Sequence, residues 1–244
     1  EKDYKGKYEI VDLPNITNVI YGRDVGYTVE KVSFDKNVEA ISATKIRKSM
    51  NITPVKNEVS AQERNKRNSH LGGVVWLTGL SASGKTTIAS KVERKLFDKG
   101  YNIYMLDGDN LRDGLNSNLG FTDQDRNENI RRASEVANIL AESGFIVIAS
   151  FISPFEKDRK LARSRNKTEF YEVFISASIQ ECEDRDPKGL YKKARKGEIK
   201  NFTGISSQYE EPNNPDIIID TEKLSEMESS NFLSDFIEKK FPKH

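Results

Sequence analysis

Short, continuous apolar runs punctuate the chain at 74–78, 103–106, 145–149, 170–175 and 217–219. Unbroken rather than alternating hydrophobicity predicts strands covered on both faces, as in a parallel sheet. Helical patterns lie between them. Ile88, Val92 and Leu96 recur every four residues with Ala89 and Phe97 beside them, and Gly100 stands where a left-handed cap would end that helix. Ile130, Ala133, Ala137, Leu140 and Ala141 form a second stripe on a helix around 125–141, again stopped by a glycine, Gly144. Ser153-Pro154-Phe155-Glu156 and Ser178-Ile179-Gln180-Glu181 each read as a capping box, the first with proline at N1. Leu233, Phe236 and Ile237 share one face of a closing helix within 224–241. The succession of strand, helix, strand, helix from residue 74 implies right-handed crossovers and an α/β fold, a doubly wound parallel sheet with helices on both faces.

Other stretches break this rhythm. Residues 187–216 are rich in proline, lysine and glycine, hold one short helical candidate at 190–196, and are too long for an ordinary connection. Segments of this kind are lids or binding loops, or else disordered, and a lid is expected here. Residues 1–50, polar and tyrosine-rich, show no complete supersecondary pattern and read as a different unit, so the chain is expected to be cut from something longer. Residues 51–72 read as a linker or N-terminal helix, leaving 73–244 as the α/β domain.

Composition narrows the function classes. Lys and Arg number 39 against 38 Asp and Glu, a net charge of +1, so no global field holds a nucleic acid or an anionic membrane and any polyanion must be gripped locally. The longest apolar stretch, 145–152 interrupted by Ser150, falls far short of the ~20 residues of a membrane span, and no signal-peptide shape opens the sequence. Cys182 is the sole cysteine, which removes disulfides and thiolate metal clusters and fits a reducing, cytoplasmic compartment. His70 and His244 lie far from every motif, so zinc-hydrolase and Ser-His-Asp mechanisms have nothing to stand on.

The strongest chemical signal is GLSASGKT at 79–86, which fits G-x-x-x-x-G-K-[ST] between a buried strand and a helix. Backbone N–H groups of a loop and helix start built from Gly79, Ser81, Ala82, Ser83, Gly84, Lys85, Thr86 and Thr87 suit phosphate oxygens. Lys85 adds a point charge, and the Thr86 hydroxyl is placed to ligate Mg²⁺. The bland alternative is a glycine-rich turn with an incidental lysine. No N/T-K-x-D element follows a strand, which rejects a GTPase, and Ser150 stands where a Walker-B aspartate is usual. The metal and proton chemistry therefore falls to LDGDN at 106–110, where Asp107 and Asp109 suit separate jobs near a metal and near an acceptor hydroxyl. A lone aspartate at a strand end is as often a helix N-cap. Downstream come Arg112, Phe121, Arg126, Asn129, Arg131 and Arg132, with Arg126 and Asn129 on one helical face. Arginine forks suit sulfate or phosphate and a phenylalanine suits a purine, although a solvated charged face would look the same.

Taken in order, GLSASGKT, LDGDNLRDGLN, LGFTDQDRNENIRR, SFISPF, RDPKGLYKKARKGEIKNFTGI and YEEPNNPDIIIDT resemble adenylylsulfate kinases (APS kinases) from about residue 51 to 220. That resemblance implies transfer of the γ-phosphoryl of MgATP to the 3′-hydroxyl of adenosine 5′-phosphosulfate, giving PAPS and ADP in sulfate assimilation. It implies that Arg112, Phe121, Arg126 and Asn129 hold the acceptor, that Ser153 lines the same pocket, and that Lys192 and Phe202 belong to the lid. Lys85, Asp107 and Asp109 would be the catalytic groups, Asp107 on the Mg²⁺ side with Thr86 and Asp109 at the acceptor hydroxyl. Asp113 departs from the His or Gln common after that arginine. Related kinases act on other conjugates, such as a cytidine diphosphoramidate, and a non-catalytic regulatory module is a further alternative. A homodimer is compatible with the sequence. Ile41-Ser42-Ala43-Thr44-Lys45-Ile46-Arg47 resembles the I-S-x-T-x-x-R signature of HxGH-type nucleotidyltransferases, but no HxGH precedes it, so residues 1–50 are expected to be an inactive tail or extension.

Overall fold

Every residue of the central strand β1 (Gly73–Thr78) is buried, because both of its faces are covered. Successive side chains point to opposite sides. Val75 and Leu77 pack with Ile88, Val92 and Leu96 of α2 (Lys85–Asp98) and with Leu233 and Ile237 near the C-terminus. Val74 and Trp76 pack instead with Ile130, Ala133 and Ala137 of the long helix in mid-chain. Burying a large apolar side chain contributes roughly 1.5–3 kcal/mol, so these two half-cores are what hold the layers together.

The structure, a computed structural model, describes residues 57–244; the expectations for residues 1–50 lie outside that range. α1 (Ala61–Asn68) opens on a capping box in which Ser60 and Glu63 satisfy each other's backbone N–H. After β1 and α2 come β2 (Ile103–Asp107), α3 (Gly108–Asp113), α4 (Asp123–Glu142), β3 (Ile146–Ser150), α5 (Glu156–Arg165) and β4 (Glu169–Ser176). Then follow α6 (Ile179–Arg185), α7 (Leu190–Arg195), β5 (Ile217–Asp220) and α8 (Glu226–Lys240). The five strands are all parallel in the order β2-β3-β1-β4-β5, the doubly wound sheet expected from the sequence. The register sets Leu77 beside Ser150 and Asp107 beside Ser150, so the carboxyl ends of β1, β2 and β3 form one rim. Ligands collect at such a rim in open α/β sheets.

The two predicted glycine stops, Gly100 and Gly144, both adopt left-handed backbone, φ +78° and +94°. Phe97, grouped with the α2 stripe, is exposed instead and lies under the Arg94 guanidinium. Neither proposed capping box forms, although one of the two serines caps its helix. Ser178 accepts from the Glu181 N–H at 3.2 Å, while its own N–H goes to Glu222 rather than back to Glu181. Ser153 caps nothing: α5 starts three residues later behind Phe155, and the Ser153 Oγ accepts the buried Trp76 indole N–H at 3.1 Å. A buried indole N–H must find an acceptor, and that demand from β1 overrides the local cap.

Residues 187–216 hold α7 and little other regular structure, yet several of their side chains are packed. Tyr191 joins Leu80 and Cys182 in a third apolar cluster, with Phe202, Ile205 and Tyr209 against it. No helix among the described residues is long and apolar enough to cross a membrane.

Candidate active site

The turn between β1 and α2 is shaped to present amides. Ala82 and Gly84 lie at φ +60° and +99°, left-handed conformations that turn the loop inward. A Cβ at Gly79 would sit 2.5 Å from the Ile175 carbonyl oxygen, so only glycine lets β1 and β4 approach there. Gly84, the N-cap of α2, offers no side-chain cap, which leaves the first-turn amides at the positive end of the helix to meet an anion.

Lys85 is buried and folds over the loop, its ammonium 2.9 Å from the Gly79 carbonyl, 2.6 Å from that of Leu80 and 3.4 Å from Ser83 Oγ. Burial pulls its pKa down to about 8. A desolvated cation held by neutral carbonyls gains most from an arriving polyphosphate. Thr86 Oγ1 donates to Asp107 Oδ2 at 3.0 Å, and Ser150 Oγ, at the position usual for a Walker-B carboxylate, is 3.4 Å from the same hydroxyl. Asp107 also caps α3, its Oδ1 accepting the Asp109 N–H at 2.9 Å. Both sequence readings of Asp107, cap and metal-side carboxylate, are thus geometrically compatible. A hydroxyl and a carboxylate side by side form an all-oxygen donor set suited to Mg²⁺, which takes few protein ligands beside phosphates and water. No cluster of three His, Cys, Asp or Glu side chains among the described residues offers a cage for another metal.

Asp109, one residue into α3, is exposed and ion-paired with Lys188. The Lys188 contact was invisible in the sequence, although the lysine lies within the quoted RDPKGLY string. Arg112, at the other end of α3, places its guanidinium 4.4 Å from the centre of the exposed Phe121 ring. Arg126 is buried on α4; its Nε donates to the Phe121 carbonyl at 3.0 Å and its terminal nitrogens to Thr203 Oγ1 and the Asn201 carbonyl. Burial lowers the pKa of both arginines, and at Arg126 the Arg112 charge adds to it. Asn129 is buried one turn on, accepting from Asn116 Nδ2 at 2.9 Å. Arg131 and Arg132 grip Glu128 instead, so for these two the charged-face reading holds.

The segment after α6 touches both halves of this rim. Tyr191 Oη donates to the Ser81 carbonyl at 3.0 Å, and the Phe202 ring meets Tyr191 edge-on at 4.9 Å between centroids. Lys192 lies on the exposed side of α7, its backbone N–H donating to Asp186. Behind Ser153, which is strained at φ +39°, sits the fully buried Arg159. Arg159 donates to the Ser153 carbonyl at 2.8 Å, the Glu210 carbonyl at 2.8 Å and the Glu172 carboxylate at 2.7 Å. Sequence reasoning missed it, because one arginine within the polar helix EKDRKLARSR looks no different from its solvated neighbours.

The family described as adenylylsulphate kinase matches residues 71–220. The adenylyl-sulfate kinase of Bacillus pumilus is 53% identical over 183 residues, 75% of this chain and 93% of its own length. That of Clostridium acetobutylicum is 54% identical over 180 residues, 74% and 90% of the two chains. Among solved structures, the Mycobacterium tuberculosis APS kinase in complex with AMPPNP and APS is 50% identical, with a TM-score of 0.67 over 69% of this chain and 98% of that one. A P-loop continuous with the Thr86–Asp107 pair, and a match of this length to catalytic relatives, agree: the chain belongs to the adenylylsulfate kinase family of ATP-dependent phosphotransferases.

Proposed function

We propose that this kinase moves the γ-phosphoryl group of MgATP to the 3′-hydroxyl of adenosine 5′-phosphosulfate, with the residues of the rim divided between donor and acceptor. The observation that carries the reading is that one short helix, α3, joins the two half-sites: it begins at the Asp107 cap beside Thr86 and ends at Arg112 over Phe121. The similar Mycobacterium tuberculosis enzyme, bound to AMPPNP and APS, supports a site for two nucleotides.

On the donor side, the amides from Gly79 through Thr87 wrap the phosphates, and Lys85 leaves the loop carbonyls to meet the β and γ oxygens. Thr86 and Asp107 would hold Mg²⁺, directly or through water, and the ion supplies charge neutralisation on the transferring group when bound. Phosphoryl transfer asks little covalent chemistry of the protein, so position and charge decide the rate. On the acceptor side, Arg112, Arg126 and Asn129 offer donors to the phosphosulfate, while Phe121 and Phe202 offer ring faces to the purine. Ser153 and Lys192 complete the walls.

Asp109 orients the acceptor hydroxyl and takes its proton. The ion pair with Lys188 holds the Asp109 side chain at the mouth of the site. Asp109→Asn keeps the shape and removes the base, so turnover at saturation should fall about 100-fold or more while calorimetric MgATP affinity stays within about twofold. Lost MgATP binding with unchanged turnover would refute the assignment.

A further inference from the structure

We infer that Asn116 is a positioning residue that fixes which end of the Asn129 amide faces the acceptor nucleotide. The inference rests on the reading above that Asn129 meets the anionic part of that nucleotide. Asn116 follows α3 and is fully buried. Its backbone is pinned on both sides, the N–H donating to the Leu111 carbonyl at 2.7 Å and the carbonyl accepting from the Leu119 N–H at 3.0 Å. From this fixed point the side chain reaches α4 and donates Nδ2 to Oδ1 of Asn129 at 2.9 Å.

A carboxamide has one accepting end and one donating end. With Oδ1 of Asn129 engaged from behind, Nδ2 is the end that remains, and it donates to no acceptor among the described residues. Asn129 shares its helical face with Arg126, three residues earlier, so an N–H at this point extends the donor set of a buried guanidinium. A phosphate or sulfate oxygen is attracted by that N–H. An amide oxygen in the same place would repel it.

Burial decides between the two arrangements of the pair. As it stands, the unsatisfied atom is Oδ1 of Asn116, buried without a partner. Turning both amides over would keep one hydrogen bond but replace that oxygen with a buried NH₂ carrying unpaired N–H groups. Orphaned carbonyl oxygens are tolerated better in protein interiors than orphaned N–H groups, so the buried environment of Asn116 selects the donor-forward state of Asn129. Among the described residues, no other group bonds the Asn129 amide and sets which way it points.

The test is a double-mutant cycle on the full chain, reading calorimetric affinity for adenosine 5′-phosphosulfate in the presence of MgADP, with MgADP affinity alone as the control. Asn129→Ala should weaken acceptor binding about 10- to 100-fold, the range for a hydrogen bond to a charged group. Asn116→Leu should weaken it about 3- to 10-fold in the wild-type background and by less than about 1.5-fold in the Asn129→Ala background, with MgADP affinity unchanged throughout. A structural role alone would not vanish when Asn129 is removed. An Asn116→Leu effect of equal size in both backgrounds, or none in either, overturns the inference and leaves the role of Asn129 standing. Unchanged acceptor binding in Asn129→Ala overturns the role of Asn129 and the inference with it. If Asn116→Leu does not fold, Asn116→Ser, too short to reach Asn129, takes its place in the same cycle with the same expected pattern.

Discussion

Replacing Lys85 by methionine should leave the free protein about as stable and make the enzyme far slower. The side chain is buried, and its pKa falls from 10.5 to about 8 through desolvation. That fall corresponds to a penalty of about 3 kcal/mol for carrying the charge in the folded state at neutral pH. The unfolded chain binds the proton more tightly, so the penalty is complete below about pH 8 and relieved as pH rises toward 10.5. Methionine removes it while keeping most of the volume. Against this, the bonds from the charged ammonium to the Gly79 and Leu80 carbonyls are lost, at about 1.5 kcal/mol each. The two sides nearly cancel, so Tm should stay within about 4 °C of wild type for a domain of this size. Catalysis should fall, because a preorganised charge at the developing negative charge contributes about 3–4 kcal/mol, a factor of about 10²–10³ in kcat. Scanning calorimetry without nucleotide and a coupled ADP assay read the two effects separately. A folded Lys85→Met protein with kcat within tenfold of wild type would refute the reasoning about the site. A Tm drop of more than about 5 °C would refute the reasoning about burial.

His70 is buried neutral, donating from Nδ1 to the Leu71 carbonyl at 2.8 Å and accepting the Asn102 N–H on Nε2 at 3.0 Å, and burial depresses its pKa. Its contribution is therefore complete above the unfolded value of about 6.5 and lost as pH falls below it, so the drop in Tm between pH 7.5 and 5.5 should be shallower in His70→Gln. Arg159→Met leaves Glu172 and two carbonyls unpaired behind Ser153 and should cost about 3–5 kcal/mol by urea denaturation; a loss below about 1 kcal/mol would contradict its place in the network. Tryptic cleavage between Lys192 and Lys200 should slow at least about fivefold with both nucleotides bound if 187–216 closes as a lid, whereas equal rates would contradict closure.

What the sequence disclosed follows from locality. The strands were readable because residues covered on both sides must be apolar without interruption, and β1 through β5 lie within a residue or two of the runs that predicted them. The P-loop was readable because its conformation is written in one turn, down to Gly84 in left-handed backbone. Contacts between distant parts of the chain were not. Ser153 looked like a cap until Trp76 claimed its hydroxyl, 77 positions away in sequence. Asp109 showed no sign of Lys188, and Arg159 stood among arginines that are solvated. Each depends on a neighbour brought near by the sheet order, and no local pattern encodes that neighbour.

The proposed transfer, on one rim that holds two nucleotides, carries a phosphoryl group from the first nucleotide to the 3′-hydroxyl of the second. It is tested most directly by incubating the full chain with MgATP and adenosine 5′-phosphosulfate, alongside a panel of other nucleotide conjugates including a cytidine diphosphoramidate, and measuring ADP together with the phosphorylated product. ADP and 3′-phosphoadenosine 5′-phosphosulfate should form in equal amounts, with little turnover on the other acceptors. ADP release that ignores adenosine 5′-phosphosulfate, or that follows a different acceptor, would contradict it.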